Sequence, residues 1–352
     1  VRDDESMTQY MRDAIGVTPD RPILIVRFLQ NATECEADAI CDVTDAFVPA
    51  VMEHIELAGI HSGDSACIIP SKHIREDHLE TIRHYTRRIA IEMNVVGLMN
   101  IQYAIENDTI YVLEANPRAS RTVPLVSKVC GIRMVPLATD IITRDLTGRP
   151  SPIADLVHRE EPVPSFYGIK EAVFPFNMFP EVDPLLGPEM RSTGEVLGLA
   201  ETTGEAFYKA QEAAGSILPL SGRVLISLNA EDKVHAVELA ERFAGNGFEI
   251  LATNHTAKTI EEAGIPVRCV KKKNEGRPNV EDIITNGEVQ LIINSPVGRK
   301  NEHNDSYLRL AAVKERVPYI TTVAAGLAAA EGIEVVKKNG AGKILALQEL
   351  FS

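Results

Sequence analysis

Four polar side chains that lie close together in the sequence have the chemistry of a site for a metal ion and a phosphate group: Gln102, Glu114, Asn116 and Arg118. Hard cations such as Mg²⁺ prefer oxygen ligands, and proteins usually hold them with one or two carboxylates together with substrate phosphates. Glu114 and Asn116 suit such an ion, whereas Arg118 and the nearby Arg121 suit phosphoryl oxygens. The residue types therefore favour a ligand that combines a divalent cation with phosphate.

Two predicted β-strands joined by a polar turn would position these side chains. Bulky apolar residues alternate with polar residues from Leu98 to Ile105, and a period of two indicates a strand with one buried face. The same pattern over residues 110–116 places Glu114 on one face of a second strand. A three-residue turn over 107–109 would place Gln102 directly across from Glu114, whereas a two-residue turn would put them on opposite faces. A solvated edge hairpin that ends in charged residues is the alternative explanation of this spacing.

The composition indicates a globular protein with an excess of acidic residues. At 352 residues the chain is long enough for two or three domains, and an apolar content of 45% with 24% charged residues is ordinary for a soluble protein. The formal net charge of −14 argues against nucleic acid or an anionic membrane as the main partner. No apolar run approaches the roughly 20 residues that a membrane-spanning helix needs.

The cysteines suit a reducing compartment, so we expect a cytoplasmic protein. They are scattered, odd in number and without the spacing of a metal site: Cys35, Cys41, Cys67, Cys130 and Cys269. Small buried apolar residues are the simplest explanation for them. The chain opens with Val1 instead of methionine, inside a polar segment with a helical pattern, and we therefore expect a fragment of a larger polypeptide.

The first two thirds of the chain combine short strands with helices. Apolar runs and alternation with period two predict strands over residues 22–29, 34–43, 48–56 and 189–196. Helical patterns cover residues 77–93, 119–130, 134–145 and 203–214. A loop of small, hydrogen-bonding residues over 58–65 is a natural place for binding groups.

The pattern changes beyond Gly215, where short apolar strands alternate regularly with helices. The predicted strands cover residues 224–228, 249–253, 267–270, 290–294 and 319–323. The predicted helices cover residues 233–244, 257–263, 280–286 and 306–315. Such alternation indicates a doubly wound parallel sheet, and about 130 residues is a natural size for one domain of this kind.

Polar residues follow the strands of this last region, at the edge where open parallel sheets bind ligands. Thr253 and Thr256 stand at the start of a helix, where free N–H groups and the helix dipole favour a phosphate. Lys233 could reach the same corner, and Asn294 ends another strand. The alternative is that these threonines and asparagines only cap helices.

Several long motifs resemble the large subunit of carbamoyl-phosphate synthetases. They are MEHIELAGIHSGDSACIIP at 52–70, GLMNIQYAI at 97–105 with VLEANPRASRTVPLVSK at 112–128, PLLGPEMRSTGEV at 184–196 and NEGRPN at 274–279. The HIELAGIHSGDS variant is similar to the second of the two synthetase halves in that family. The resemblance covers the whole chain, because the residues after 222 resemble the allosteric domain that ends the same subunit.

The resemblance implies a fold of mixed α/β and α+β class. Residues 1–148 would be the C-terminal portion of an ATP-grasp domain, truncated at its N-terminus, and 149–221 a connecting segment packed on it. Residues 222–352 would be a doubly wound, methylglyoxal-synthase-like effector domain. In the family, the second half uses ATP to phosphorylate carbamate, which yields carbamoyl phosphate for pyrimidine and arginine biosynthesis. ATP and Mg²⁺ or Mn²⁺ are the implied cofactors, with K⁺ as a further candidate.

The resemblance also assigns site residues. Gln102, Glu114 and Asn116 would be the metal ligands, and Arg118 and Arg121 would face the phosphates and carbamate. The nucleotide contacts would come from Leu29, Glu34, Gly59, Ile60, His61, Ser62, Gln102 and Glu114. The pocket for UMP or IMP would contain Lys233, Thr253, Thr256, Lys272 and Asn294, and an ornithine site would contain Glu56, Asp64, Glu171 and Thr321.

Two departures from the family pattern bear on function. Pro296 stands where a hydroxyl residue would help to hold phosphate. The glycine-rich loop that covers the phosphates in the family has no counterpart in this sequence, so we expect the chain alone to bind ATP weakly without turnover. The implied partners are the remainder of the large subunit and a glutaminase small subunit.

Other functions compete with the synthetase interpretation. A regulatory module without catalysis of its own would use residues 222–352 to sense a nucleotide and the rest as a scaffold. Another ATP-grasp ligase, such as a biotin carboxylase, fits less well, because of the HSGDS loop and the terminal sheet domain.

Overall fold

A computed structural model describes residues 4–17, 27, 29, 32–157, 164–179, 181–295 and 306–340, with 342, 346, 348 and 349. The chain divides into two compact units, residues 1–31 and 32–352. In the first unit, helix α1 spans Asp4–Val17. The strand predicted over 22–29 lies outside the described residues, apart from positions 27 and 29. In the described part of the chain, no helix is both long enough and apolar enough to cross a bilayer.

An antiparallel sheet forms the first part of the second unit. Its strands are β1 (Thr33–Asp42), β2 (Ala46–Phe47), β3 (Val51–Leu57), β4 (Cys67–Ile69), β5 (Val96–Glu106), β6 (Thr109–Asn116), β7 (Tyr167–Val173) and β8 (Gly194–Ala200). Their order is β6-β5-β1-β3-β4-β7-β8, with β2 paired to β1. The helices are α2 (Glu76–Glu92), α3 (Val123–Cys130), α4 (Met134–Ile142), α5 (Arg144–Thr147), α6 (Ile153–Val157) and α7 (Thr203–Ala213).

Helices cover both faces of this sheet, as the alternating pattern requires. On one face Ile101 and Tyr103 of β5 pack with Ile82 of α2, and the hydroxyls of Tyr103 and Thr86 lie 2.7 Å apart. On the other face, residues of β3 and β4 share a core with α3 and α4. Helix α3 ends at Gly131, whose φ of 66° is the left-handed conformation that glycine adopts without steric cost.

The second part of this unit is a parallel sheet with the predicted doubly wound topology. Its strands are β9 (Arg223–Ser227), β10 (Glu249–Thr253), β11 (Arg268–Val270), β12 (Leu291–Asn294) and β13 (Tyr319–Ile320), in the order β11-β10-β9-β12-β13. The helices are α8 (Ala236–Gly245), α9 (Asn254–Glu262), α10 (Val280–Thr285), α11 (Ser306–Lys314) and α12 (Val323–Asn339). The strand order reverses between β9 and β12, and ligands of such sheets bind at that point.

Helix α12 crosses helix α7 at two glycines and so joins the two sheets. A Cβ atom on Gly332 would lie 2.7 Å from the carbonyl oxygen of Gly204, so the crossing leaves no room for a side chain there. Next to it, the carboxylate of Glu331 accepts hydrogen bonds from Thr203 Oγ1 at 2.6 Å and Lys72 Nζ at 3.2 Å. The sequence patterns did not predict α12, because its many alanines and glycines leave only a weak apolar stripe.

Candidate active site and effector sites

Gln102 pairs directly with Glu114 across the β5–β6 hairpin, as the metal-site hypothesis requires. The turn is not the three-residue turn on which we expected this pairing to depend, and the expectation that a two-residue turn would put the two side chains on opposite faces was wrong. Glu106 pairs with Thr109, so the turn has two residues, and both Asn107 and Asp108 have positive φ angles of 48° and 64°. These values are typical of the tight turns that match the twist of a hairpin.

A β-bulge corrects the register that this short turn would otherwise impose. Tyr103 pairs with Val112 and Gln102 with Glu114, which leaves Leu113 as an extra residue in β6. One extra residue reverses the face of every later side chain in the strand. Glu114 therefore lies on the same face as Gln102 in spite of the two-residue turn, and Asn116 follows it opposite Asn100.

The donor groups of both amides at this site are occupied by neighbours. Gln102 Nε2 donates to Ser62 Oγ at 2.8 Å, and Asn116 Nδ2 donates to Glu114 Oε1 at 2.8 Å. Each amide therefore keeps its carbonyl oxygen for another ligand. One carboxylate and two amide oxygens form a donor set that suits a hard divalent cation, so these residues fit Mg²⁺ or Mn²⁺.

The loop over residues 58–65 is held by hydrogen bonds to β1 and β7 and within itself, besides the bond that Ser62 accepts from Gln102 of the hairpin. Gly59 N donates to Glu34 Oε1 at 3.3 Å, and Gly63 N donates to His61 Nδ1 at 3.0 Å. The buried ammonium of Lys170 donates to the carbonyl oxygen of Ser62 at 2.9 Å. The predicted nucleotide residues Gly59, Ile60, His61 and Ser62 thus lie in this loop, and Glu34 of β1 contacts it through the backbone of Gly59. Leu29 belongs to the first unit.

The two arginines lie in the segment between β6 and α3. Arg118 is exposed and donates to the carbonyl oxygen of Ala119 at 3.0 Å, while Arg121 Nη1 donates to Ser192 Oγ at 3.3 Å. The residues on either side of Arg121 are anchored by the buried Asp38 of β1, to which Ser120 Oγ and Thr122 Oγ1 each donate at 2.6 Å. Asp38 was not among the predicted site residues, although acidic residues at 36, 38 and 42 alternate with apolar residues in this strand and are a sequence signal for it.

Buried ionisable groups of β1 and its neighbouring strands have shifted pKa values. Burial and the charge of Glu36 raise the pKa of Asp38 to about 6, against the hydrogen bonds that it accepts. Burial would also raise the pKa of Glu36, but the neighbouring His54, Lys170 and Asn100 lower it to about 2. Burial disfavours the charged form of His54, yet its neighbours, Glu36 among them, raise the pKa of the imidazole well above its ordinary value. The ring nitrogens lie 3.5 Å from a carboxylate oxygen of Glu34 and of Glu36.

Two of the predicted ornithine residues, Glu56 of β3 and Glu171 of β7, lie on the two strands that flank β4 and interact electrostatically. Burial and the charge of Glu56 raise the pKa of Glu171 to about 8. Glu171 Oε2 accepts a hydrogen bond from Gln211 Nε2 at 2.6 Å, and Glu56 Oε2 accepts one from the backbone of Ala66 at 2.7 Å. Two adjacent buried carboxylates would be relieved by a cationic ligand.

The other two predicted ornithine residues have different surroundings. The carboxylate of Asp64 is buried, and its oxygens accept hydrogen bonds from the backbone N–H groups of Arg191 and Ser192 at 2.8 and 2.9 Å. Asp64 therefore fastens the loop to a distant segment. Thr321 directly follows β13.

Three predicted effector residues meet at the carboxyl end of β9. Thr253 Oγ1 lies 3.0 Å from Ser227 Oγ, Thr256 Oγ1 accepts from Leu228 N at 3.2 Å, and Asn294 Nδ2 donates to the carbonyl oxygen of Ser227 at 3.1 Å. Although Thr253 precedes helix α9, its side chain makes no capping hydrogen bond, so the capping explanation is insufficient for it.

The remaining predicted effector residues lie in turns that follow strands β9 and β11, at the carboxyl-terminal edge of the sheet. Lys233 is in the 3₁₀ turn Asp232–His235 that follows β9, and Lys272 precedes the 3₁₀ turn Lys273–Glu275 that follows β11. Pro296 lies outside the described residues. A further residue, not predicted, completes the corner: Arg309 Nη1 donates to Asn294 Oδ1 at 3.4 Å.

Two family models match the chain, and each falls on one of the two sheets. The model "Carbamoyl-phosphate synthase L chain, ATP binding domain" matches residues 1–144, and "MGS-like domain" matches residues 235–321. A carbamoyl phosphate synthase large chain, C-terminal section, from Aquifex aeolicus is 43% identical, and the match covers 100% of this chain and 68% of that protein. A carbamoyl phosphate synthase large chain from Methanosarcina barkeri is 44% identical, over 96% of this chain and 84% of that protein.

The chain belongs to the carbamoyl phosphate synthase large-chain family. A further large chain, from Acidobacterium capsulatum, is 49% identical, but the match covers 96% of this chain and only 31% of that relative. The chain therefore spans about a third of the length of that carbamoyl phosphate synthase. The solved biotin carboxylase subunit of pyruvate carboxylase is a remote neighbour, with 16% identity, a TM-score of 0.40 and coverage of 53% of this chain and 46% of that one.

Family membership confirms the predicted fold, an ATP-grasp portion followed by a methylglyoxal-synthase-like domain. The domain boundaries at 148 and 221 stay predictions, as do the roles of individual residues. The relatives that the chain matches are named carbamoyl phosphate synthase large chains, and residues 1–144 match a family model described as an ATP binding domain.

Proposed function

We propose that this chain supplies one wall of the site at which a carbamoyl phosphate synthase uses ATP to phosphorylate carbamate. The observation that carries the proposal is the pairing of Gln102 with Glu114, on one face of the hairpin and within hydrogen-bond reach of the loop through Ser62. A donor set for a divalent cation, arginines and a small-residue loop are the elements that phosphoryl transfer needs, because such catalysis consists mainly of positioning and charge neutralisation.

Each group has a separate task in this proposal. Gln102, Glu114 and Asn116 hold Mg²⁺ or Mn²⁺, which when bound neutralises phosphate charge. Arg118 and Arg121 hold the transferred phosphoryl group and the carbamate, since a guanidinium donates two parallel hydrogen bonds to such anions. His61 and Ser62 line the nucleotide side, and Glu34 binds the ribose. K⁺ is a further candidate cofactor.

The terminal domain takes a nucleotide monophosphate such as UMP or IMP in this proposal. Thr253, Thr256 and Asn294 would hold the phosphate at the strand ends, with Lys233 and Lys272 contributing positive charge from the adjacent turns. The buried pair of Glu56 and Glu171, with Asp64 and Thr321 nearby in the family pattern, would take the cationic amino acid ornithine.

The partners follow from the same proposal. The rest of a large chain would supply the facing wall of the site, and a glutaminase small subunit would supply ammonia. The net charge of −14 fits small-molecule ligands better than nucleic acid or an anionic membrane surface. A cytoplasmic location suits both the substrates and the unpaired cysteines.

The proposal is tested by the reverse partial reaction, in which carbamoyl phosphate and ADP yield ATP and carbamate. The assay uses this chain together with the remaining sections of a large chain from a relative. Glu114→Gln should lower the rate of ATP formation at least about 100-fold, because it removes the charged metal ligand. Glu92→Gln, on the exposed side of α2, should leave that rate unchanged. Equal activities of the two variants would contradict the metal site.

A regulatory module without catalysis is the second candidate, and the well-formed corner at Thr253, Thr256 and Asn294 favours it. Thermal shift measurements with UMP, IMP, ornithine and Mn²⁺-ATP separate the two functions. Stabilisation by the monophosphates and none by Mn²⁺-ATP, even with the remaining sections present, would favour the module.

A further inference from the structure

One buried guanidinium touches both the effector corner and the connection to the first sheet. Arg309 of α11 has a fully buried side chain. It forms a bidentate ion pair with Asp183, with Nε 2.7 Å from Oδ1 and Nη2 2.6 Å from Oδ2. Its third nitrogen, Nη1, donates to Asn294 Oδ1 at 3.4 Å. A change at the corner therefore reaches Asp183 through a single side chain.

Asp183 begins a segment, residues 183–192, that ends at the nucleotide loop. Arg191 Nη1 donates to the carbonyl oxygen of Asp183 at 2.6 Å, which ties the two ends of the segment together. The backbone N–H groups of Arg191 and Ser192 then donate to the carboxylate of Asp64 at 2.8 and 2.9 Å. The Arg309–Asp183 ion pair is thus connected to the 58–65 loop through the Arg191 side chain and the backbone at residues 191 and 192.

The 183–192 segment contacts the proposed active site in three further places, one at Gly187 and two at Ser192. Gly187 O accepts from His61 N at 2.8 Å. Ser192 Oγ donates to Gly63 O at 3.2 Å and accepts from Arg121 Nη1 at 3.3 Å. The segment therefore sets the position of the loop and of the arginine proposed to hold phosphate.

We propose that the Arg309–Asp183 ion pair is the link through which an anion in the effector corner acts on the active site. A phosphate bound beside Asn294 competes with Asp183 for the guanidinium and repels the carboxylate. The 183–192 segment then loosens its hold on Asp64 and Arg121. The inference rests on the proposed effector site and adds the route and sign of its action.

The electrostatics of the corner support competition between the two anions. A buried cation attracts either anion strongly, because charges interact more in a low-dielectric interior than in water. A phosphate carries more charge than a carboxylate, so its arrival changes the balance at Arg309. The two effects are linked thermodynamically. The factor by which bound phosphate weakens the Arg309–Asp183 ion pair is also the factor by which the intact ion pair weakens phosphate binding.

Hydrogen exchange of the full chain measures the link without any need for turnover. Saturating UMP should raise the exchange rates of the amides of Asp64, Arg191 and Ser192 by about fivefold or more, the lower end of common allosteric couplings. Uridine, which lacks the phosphate, should leave these rates unchanged. Binding of UMP with unchanged exchange at the three amides would overturn the link and leave the effector site standing.

A pair of charge-matched variants tests the reciprocal effect. Asp183→Asn should tighten UMP binding by about fivefold. It should also raise the exchange rates of the amides of Asp64, Arg191 and Ser192 in the absence of any ligand. Asp140→Asn, which breaks the surface ion pair with Arg149, removes the same charge and should change neither. Unchanged or weaker UMP binding by Asp183→Asn would overturn the proposed competition. If that variant does not fold, the exchange experiment on the wild-type chain still tests the link. Failure of both UMP and IMP to bind the wild-type chain would overturn the effector site, and the link with it.

Discussion

Asp38 accepts a hydrogen bond of 2.6 Å from Thr122, the residue that directly follows Arg121. Both groups are buried, and the acceptor is a carboxylate without solvent contact, at 0% exposure. The bond fixes the backbone that carries an arginine proposed to hold phosphate. The position of that arginine thus depends on β1, a strand more than 80 residues earlier in the chain.

Thr122→Val is therefore expected to lower the free energy of unfolding by about 1–3 kcal/mol, because it leaves a buried acceptor without one of its donors. Urea unfolding measures this loss. Thr139→Val is the matched control, since the hydroxyl of Thr139 bonds only to its own helix on an exposed surface and its loss should cost under about 0.5 kcal/mol. Equal costs for the two variants would show that the Asp38 anchor is not important.

The raised pKa of Glu171 gives the stability a pH dependence of known sign. The folded state holds the proton up to about pH 8, whereas a glutamate in the unfolded chain releases it near its ordinary pKa of about 4.5. Between these values the folded state binds more protons, so stability is greatest below about pH 4.5 for this group and is lost as the pH rises to about 8. The slope is at most about 1.4 kcal/mol per pH unit for one proton.

Glu171→Gln should remove this slope from urea unfolding curves recorded between pH 5 and 8. The comparison with wild type reports the Glu56–Glu171 pair, because burial also raises the pKa of Glu56 and the variant removes the charge that the two groups share, whereas the contribution of Asp38 is common to both proteins. Ornithine should bind more tightly as the pH rises through this range and should displace protons from the carboxylates. A slope that persists unchanged in the variant would assign it to another group.

Lys170 balances buried carboxylates, and its removal is expected to be costly. The ammonium is 2% exposed, donates to the carbonyl oxygen of Ser62 and interacts with Glu36. Lys170→Met should lower the free energy of unfolding by about 3–5 kcal/mol, because it leaves buried negative charge without compensation. Lys258→Met, at an exposed pair with Glu262, should cost under about 0.5 kcal/mol by the same thermal or urea measurement.

The glycine crossing of α7 and α12 predicts opposite effects for two similar substitutions. Gly332→Ala places a Cβ atom 2.7 Å from the carbonyl oxygen of Gly204 and should destabilise the protein by about 1–3 kcal/mol. Gly245→Ala, in helix α8, meets no atom within 4 Å and should stabilise it by up to about 1 kcal/mol. Melting temperatures that move in the same direction for both variants would contradict the close packing at the crossing.

Local patterns in the sequence were sufficient for most elements that carry the site. Alternation with period two located β5 and β6, and the regular exchange of apolar runs with helices identified the parallel sheet of the terminal domain. These signals are strong because burial of one face requires them. The weak pattern of α12 shows the limit, since a helix that packs through glycine and alanine has little apolar periodicity.

The β5–β6 hairpin shows a second limit of prediction from sequence patterns. We expected Gln102 and Glu114 to converge only with a three-residue turn, but the chain brings them together with a two-residue turn and a bulge at Leu113. Both solutions give the same face, so the pattern of side chains could not distinguish them. Contacts such as Arg309 with Asp183 join residues 126 positions apart, and no local pattern contains that information.

Lys170 and Glu171 are neighbours in β7, and consecutive side chains of a strand point to opposite faces of the sheet. Lys170 holds the carbonyl oxygen of Ser62, while Glu171 faces Glu56 and Gln211. A single strand, β7, therefore contacts both Ser62 of the 58–65 loop and the pair of Glu56 and Glu171 in the proposed amino-acid site. A cation that binds beside Glu171 therefore changes the electrostatic field at the ammonium of Lys170, which holds the loop through Ser62.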